Sequence, residues 1–347
     1  MDKTEASIQE WRRLFEAAIK FKQQGCWNWM TNEDYFAITD PETGEIGYCV
    51  PLGAGGMDYG LNVYRGPQAG AFLRDIVQSY GVDKDTKESM FTTDAISVNF
   101  EDRDQLDKKD LGLIRELGYK FRGSGEWPLF RSYKPGLQPW YLDKQEVRFL
   151  TVALEQAFVV AERFRENHEL NFERDETEYG SGEKRLHLVP QATKNGIVWQ
   201  DHWLPWHPKG ELIEPYLYPD EIRLRQLKKT VRKSKEIWEA DFMFADILIG
   251  KRGERGQYPR LCLWVNGTSG IILGAEIVEN IDCRQQFVDQ LLHLLESTKL
   301  KPSRIHAASN KAFLALKDTA EKLGIPIVYN PMSLALLHAQ EAIQSSF

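Results

Sequence analysis

From Trp238 onward the chain alternates apolar runs with turn residues in an order that leaves few folds open. Trp238 to Ile249 predicts a strand. Leu261 to Val265 and Ile271 to Val278 flank the turn Asn266-Gly267-Thr268-Ser269-Gly270 and predict a hairpin, because Asn and Gly tolerate the backbone that tight turns need. Arg284 to Ser297 keeps Phe287, Leu291 and Leu294 at helical spacing. A short strand at Arg304 to Ala308, a helix from Ala312 to Leu323 ending at Gly324, a strand at Ile325 to Tyr329 and a helix from Leu334 to Ile343 complete the series. The order is β-β-β-α-β-α-β-α, for which an α/β domain with a mixed sheet is expected.

The preceding sequence reads as an α+β domain. Thr4 to Lys22 places Ile8, Trp11, Phe15, Ala18 and Ile19 on one helical face. Strands are predicted around Tyr35 to Ile38, Ile46 to Val50, Tyr59 to Tyr64 and Ala95 to Phe100, with helices near Gln68 to Tyr80, at Lys108 to Leu117 and at Lys144 to Asn167. An acidic stretch with Gly180-Ser181-Gly182 follows, then strands at Leu186 to Val189 and Gly196 to Trp203, a proline-rich passage and a basic helix from Glu221 to Glu236. The expected organisation is therefore residues 1–170 as an α+β domain, 171–235 as a linker with short strands and the basic helix, and 236–347 as an α/β domain.

With 347 residues the chain is long enough to bury its cores without covalent staples. Its four cysteines, at 26, 49, 262 and 283, form no C-x-x-C pair, so neither a zinc site nor a disulfide framework is expected. Met1-Asp2-Lys3-Thr4-Glu5 begins polar and no apolar run is long enough to span a bilayer, so a soluble, cytoplasmic protein without a membrane partner is expected. The net charge of −7 opposes general attraction to phosphate polymers, which depends on many Lys and Arg, unless a local patch overrides it.

Two segments carry enough chemistry to be candidate binding surfaces. Between Phe121 and Tyr141, read as a long ordered loop, Arg122, Arg131 and Lys134 interleave with Trp127, Tyr133 and Trp140, as a surface for stacked, anionic ligands would. The same rings can instead pack on a core while cationic stems reach water. The basic helix offers Lys228, Lys229 and Arg232 to nucleic-acid phosphates, or serves as a solvated face. Gly53-Ala54-Gly55-Gly56 lacks the Lys and Ser/Thr of a phosphate loop. His202 and His207 straddle Pro205 at a spacing that matches no structural zinc pattern, and His306 has no orienting carboxylate evident in sequence.

The element order, with Trp238-Glu239-Ala240-Asp241, Val265-Asn266-Gly267-Thr268-Ser269-Gly270-Ile271 and Pro302-Ser303-Arg304-Ile305-His306-Ala307-Ala308-Ser309-Asn310, resembles the ribonuclease-H-like core of transposases and retroviral-type integrases. That resemblance covers the last third of the chain. It implies a first metal-binding acid at Asp241 and a second at the end of the 304–308 strand, where this chain has Ala308, Ser309 and Asn310. A third acid is available only at Glu341. Over its whole length the chain also resembles a group of bacterial proteins classed as domains of unknown function, through Gly47-Tyr48-Cys49-Val50, Leu61-Asn62-Val63-Tyr64-Arg65-Gly66, Trp127-Pro128-Leu129-Phe130-Arg131-Ser132-Tyr133 and Pro139-Trp140-Tyr141. That resemblance implies no activity.

Three functions follow as expectations. The first is a non-catalytic binding or regulatory protein, with a nucleic acid or a protein as partner and no cofactor. The second is a nuclease or strand-transfer enzyme using Mg²⁺ or Mn²⁺ on Asp241, Asp246 and Glu341. The third is a small-ligand module built on Arg122, Trp127, Arg131, Tyr133, Lys134 and Trp140.

Overall fold

The computed structural model describes residues 5–66, 69–70, 72–73, 91–168, 170, 173–174, 183–205 and 214–344. They fall into two compact units, and Phe91 and Pro135–Gln138 belong with the residues from 214 onward. The helix expected near Gln68 to Tyr80 and the acidic stretch around Gly180 lie largely outside the described residues, as does His207.

In the first unit, α1 (Ile8–Gln24) opens with a capping box in which Ser7 accepts from the Glu10 N–H and Glu10 returns the bond to the Ser7 N–H. It packs against α3 (Lys144–Glu166), whose capping box is built from Asp143 and Glu146. Between them in sequence come β1 (Phe36–Thr39), β2 (Ile46–Leu52), β3 (Gly60–Tyr64), β4 (Ala95–Glu101), α2 (Lys108–Leu117) and β5 (Trp127–Tyr133); after α3 come β6 (Glu173–Arg174), β7 (Glu183–Thr193) and β8 (Gly196–Pro205). The sheet runs β5-β4-β3-β2-β1-β7-β6 with β8 paired to β7. Its neighbours are antiparallel except β1 and β7, which are parallel. Leu14, Phe15, Phe21 and Leu150 from the helices and Phe36, Ile96 and Val98 from the sheet fill the core.

The sequence between Phe121 and Tyr141 is not one long loop. Its centre is β5, which pairs with β4 from Ala95↔Tyr133 to Glu101↔Trp127. Pro128, Phe130 and Ser132 alternate inward and are buried. The large residues on both faces of this strand hide the two-residue period.

His187 on β7 sits opposite Ala37 of β1, with its Nε2 2.7 Å from the Thr39 hydroxyl. Burial, followed by the charge of His202 across the hairpin, holds its pKa below the ordinary 6.5. An imidazole that resists protonation only when folded contributes stability above 6.5, and that contribution is lost as pH falls through the window below it. The melting temperature is therefore expected to drop from neutral pH to about pH 5 more in the wild type than in His187→Gln. Equal drops would remove His187 as the cause.

In the second unit, α4 (Glu221–Thr230) precedes β9 (Arg232–Lys233), β10 (Ile237–Phe244), β11 (Arg260–Asn266), β12 (Ile272–Val278), α5 (Arg284–Thr298), β13 (Leu300–Lys301), β14 (Arg304–Ala307), α6 (Asn310–Leu323), β15 (Ile327–Tyr329) and α7 (Leu334–Gln344). The basic helix is shorter than expected: it stops at Thr230, and Arg232-Lys233 instead form a parallel bridge with Leu300-Lys301. The five-stranded sheet has the order β12-β11-β10-β14-β15, antiparallel in its first three strands and parallel in the rest. It is a mixed sheet, as expected for residues 236–347. Asn266 makes the hairpin turn, its side-chain oxygen accepting from the Thr268 and Ser269 N–H groups at 3.0 and 3.1 Å while Gly270 takes φ 73°.

Period-two alternation divides β10 between two cores. Trp238, Ala240 and Phe242 join Trp264, Phe287 and the α5 and α6 residues. Met243 joins Leu261, Leu263 and Val265 of β11 against Leu336 and Ala339 of α7. Glu239 and Asp241 share the Met243 parity, so they lie on the α7 side of the sheet.

Candidate functional site

Asp241 is partly buried, and its Oδ1 accepts two hydrogen bonds: from the Ser309 hydroxyl at 2.5 Å and from the Phe242 N–H at 2.9 Å. Ser309 follows β14 and is the N-cap of α6, where its oxygen also accepts from the Ala312 N–H at 3.2 Å. One hydroxyl thus joins a strand-borne carboxylate to the start of a helix. Ser309→Ala is expected to cost about 1–2 kcal/mol, measured by urea unfolding, with Ser309→Thr recovering most of the loss. An unchanged midpoint in the Ala variant would show that the cap is idle.

The other two acids of the candidate set are elsewhere. Asp246 is exposed two residues past the end of β10. Glu341 is exposed on α7, and it stands two positions, roughly 200° of helical turn, from the inward-facing Ala339. Among the described residues no three His, Cys, Asp or Glu side chains are grouped as metal ligands.

Closer to Asp241 in sequence is a carboxylate that sequence reasoning passed over. Glu239 is buried, accepts a hydrogen bond from the Ser333 hydroxyl, and has its Oε1 3.5 Å from His306 Nδ1. Ser333 caps α7 through the Leu336 N–H at 3.1 Å, so the helix start is fastened to β10. Asn330 Nδ2 lies 3.4 Å from the same His306 nitrogen. Gly267 packs directly on this carboxylate: a Cβ there would sit 2.8 Å from Glu239 Cδ. The signal available in sequence was the two-residue spacing of Glu239 and Asp241; their partners lie tens of residues away.

Two of the three cations proposed for a ligand surface in the first unit, Arg131 and Lys134, are already paired. Arg131 makes a two-pronged contact with Asp110 at 3.0 and 2.8 Å and lies 5.2 Å from the centre of the Tyr141 ring. The Tyr141 hydroxyl donates to Asp107, and burial, followed by that bond, raises its pKa. Lys134 stands 3.5 Å from Glu146 and 3.8 Å from Asp143. Trp127 meets Phe121 edge-on with the Arg103 guanidinium 5.8 Å from its ring, Trp140 donates its backbone N–H to the Ser132 carbonyl, and Tyr133 is half-buried on β5. Arg122 is exposed. In the basic segment, Lys229 and Arg232 are exposed, while Lys228 donates to the Lys322 carbonyl at 2.9 Å, at the C-terminal end of α6.

Residues 11–180 match the model of a domain of unknown function, DUF7309, and residues 223–344 match that of another, DUF6930. No curated protein matches the chain. Two solved structures are weakly similar over 33% of the chain. One is the HTLV-2 integrase catalytic core domain in complex with magnesium, at 14% identity and TM-score 0.25 over 70% of that chain. The other is the simian T-cell lymphotropic virus intasome in complex with PP2A regulatory subunit B56 gamma, at 20% identity and TM-score 0.25 over 41% of that chain. No helix among the described residues is long and apolar enough to cross a membrane.

Proposed function

We propose that this chain is a non-catalytic binding protein whose second unit has kept a ribonuclease-H-like frame while its strand-borne acid holds the fold together. The observation that carries this reading is the Asp241–Ser309 contact. Two-metal phosphoryl chemistry needs clustered carboxylates, because hard cations require anionic oxygen ligands on both the attacking and leaving sides. Here the strand that should deliver the second acid delivers a neutral hydroxyl, and that hydroxyl donates its proton to the first acid. Asp246 and Glu341 are both exposed, one beyond the strand end and one on the outer side of α7. This donor set does not fit a pair of Mg²⁺ or Mn²⁺ ions, so no hydrolytic step is derived through them.

The test is cleavage of labelled single- and double-stranded DNA and RNA by the full chain in Mg²⁺ and in Mn²⁺. No cleavage above buffer is expected from the wild type. Metal-dependent cleavage that Asp241→Asn abolishes would replace this reading with the nuclease alternative.

A small-ligand role keeps one supporting observation. A groove of about 750 Å³ runs along α1, α2 and β5, with Trp11, Phe130, Tyr141 and Lys109 among its lining residues. From the 121–141 segment, only Pro128, Phe130 and Tyr141 contribute to it.

A further inference from the structure

The β9–β13 bridge gathers positive charge at one end of the second sheet. Lys233 is the register partner of Lys301, and Arg232 that of Leu300. Arg304 opens β14 beside Ile237 at the start of β10, so this end lies at the N-terminal ends of the parallel strands, whereas Ser309 follows the C-terminal end of β14. Lys228 and Lys301 have a structural role, since both donate to carbonyls that end α6, at Lys322 and at Leu323 and Gly324. Cations there also complement the helix dipole.

The rest have no such role. Lys229, Arg232, Lys233, Lys235, Lys299 and Arg304 are all exposed, and among the described residues none of them forms an ion pair with a carboxylate. The nearby acids are engaged mainly elsewhere: Glu236 accepts from the Trp238 indole, Glu221 pairs with Arg225 and Lys322, and Glu296, which also feels the charge of Lys299, pairs with Arg223. Burial, then the charges of Lys233 and Lys228, pull the Lys301 ammonium below its ordinary pKa of 10.5, a sign that like charges crowd here. A surface that only needed solubility would intersperse the two signs. This chain concentrates one sign at a single end although its net charge is −7.

The shape of the patch narrows the partner. The cations come from the ends of α4 and α5, the bridge, the approach to β10 and the start of β14, so several elements at one end of the sheet offer charge to successive phosphates. The segments 225–236 and 299–304 contain no aromatic ring, so there is no platform for stacking unpaired bases. Apolar anchors of the kind that insert into a lipid surface are also sparse, with Ile222 the exposed large apolar residue on α4.

We propose that this end of the second unit binds the phosphate backbone of duplex nucleic acid without reading its sequence. The proposal rests on the non-catalytic binding reading and names its partner.

The test is fluorescence anisotropy of the full chain with a short random-sequence DNA duplex. With about four phosphate contacts, raising salt from about 50 to about 200 mM is expected to weaken binding about a hundredfold. Lys229→Glu/Arg232→Glu/Lys233→Glu is expected to weaken binding at least tenfold and to flatten the salt slope by about three. Lys120→Glu/Lys194→Glu/Lys251→Glu, with the same change in net charge at exposed positions elsewhere, is expected to stay close to wild type. If the first triple variant melts early, the Gln versions of the same three changes carry the same expectation for the slope. No binding at low salt, salt-independent binding, equal losses in both triple variants, or tighter binding to phosphatidylserine vesicles than to the duplex would each overturn the proposal. None of these outcomes touches the non-catalytic reading, which is decided by metal-dependent cleavage and metal-dependent stabilisation instead.

Discussion

Arg65→Ala is expected to destabilise the protein by about 3–5 kcal/mol, one of the two largest losses anticipated from a single substitution. Arg65 is buried and its Nη2 lies 2.8 Å from Asp94 Oδ1 and 3.1 Å from Glu146 Oε1. Glu146 is more deeply buried and also accepts from the Ser132 hydroxyl at 2.8 Å and the Asp143 N–H at 3.0 Å. Removing the guanidinium leaves this buried carboxylate with only the half-exposed Lys134 ammonium, 3.5 Å away, to offset its charge. The loss is the cost of a buried charge that has lost its closest cation, so Arg65→Ala/Glu146→Gln should be more stable than Arg65→Ala alone. Urea unfolding at neutral pH measures both, and a loss below about 1 kcal/mol in the single variant would contradict the account.

Acid should act on the same network. Burial works to raise the Glu146 pKa, but the Asp143 N–H, Arg65 and Ser132 outweigh it and hold the carboxyl below its ordinary 4.5. A carboxyl depressed in the folded state contributes stability above 4.5 that is lost as pH falls through the window below it. Glu146→Gln should therefore have lower stability at neutral pH and a flatter acid limb than the wild type.

Trp264→Ala is expected to cost about 3–5 kcal/mol in the second unit. The indole is fully buried, 5.1 Å from the Phe287 ring and 6.5 Å, edge-on, from Trp238. It joins the centre of β11 to α5, so truncation opens a cavity that neighbouring rings on rigid elements cannot refill. Trp264→Phe is expected to cost much less. The buried indole Nε1 has no acceptor among the described residues, so the smaller ring also removes an unsatisfied donor. Urea unfolding followed by circular dichroism separates the two variants, and equal losses would contradict the cavity account, since Phe restores most of the volume that Ala removes.

These two sites illustrate what could be read from sequence. The helices α1, α3, α5 and α6 were legible because apolar residues such as Phe15, Leu150, Leu291 and Leu316 fall within runs of helical spacing, and α1, α3 and α6 also carry capping residues or a glycine at an end. The second sheet was legible because each strand is a short apolar run and the Asn266 turn is local. β5 was not, since Trp127, Leu129, Arg131 and Tyr133 on its outer face are as bulky as its inner residues. The basic helix was overextended because its end is set by the pairing of Arg232 and Lys233 with residues near 300, which no local period records. The candidate site was half legible. Asp241 stood out in its strand, but its partner Ser309 is 68 positions away, and Glu239 depends on Ser333, 94 positions away. Likewise Arg131 and Lys134 look like free cations until Asp110 and Glu146 are brought beside them.

The central claim is that Asp241 serves structure through Ser309 and does not hold metal. The most direct test is thermal shift of the full chain against rising Mg²⁺ and Mn²⁺, run beside Asp241→Asn. The account predicts no metal-dependent rise in melting temperature for either protein, because a ligand that binds the folded state must stabilise it. A rise in the wild type that Asp241→Asn removes would contradict it and return the carboxylate to metal chemistry.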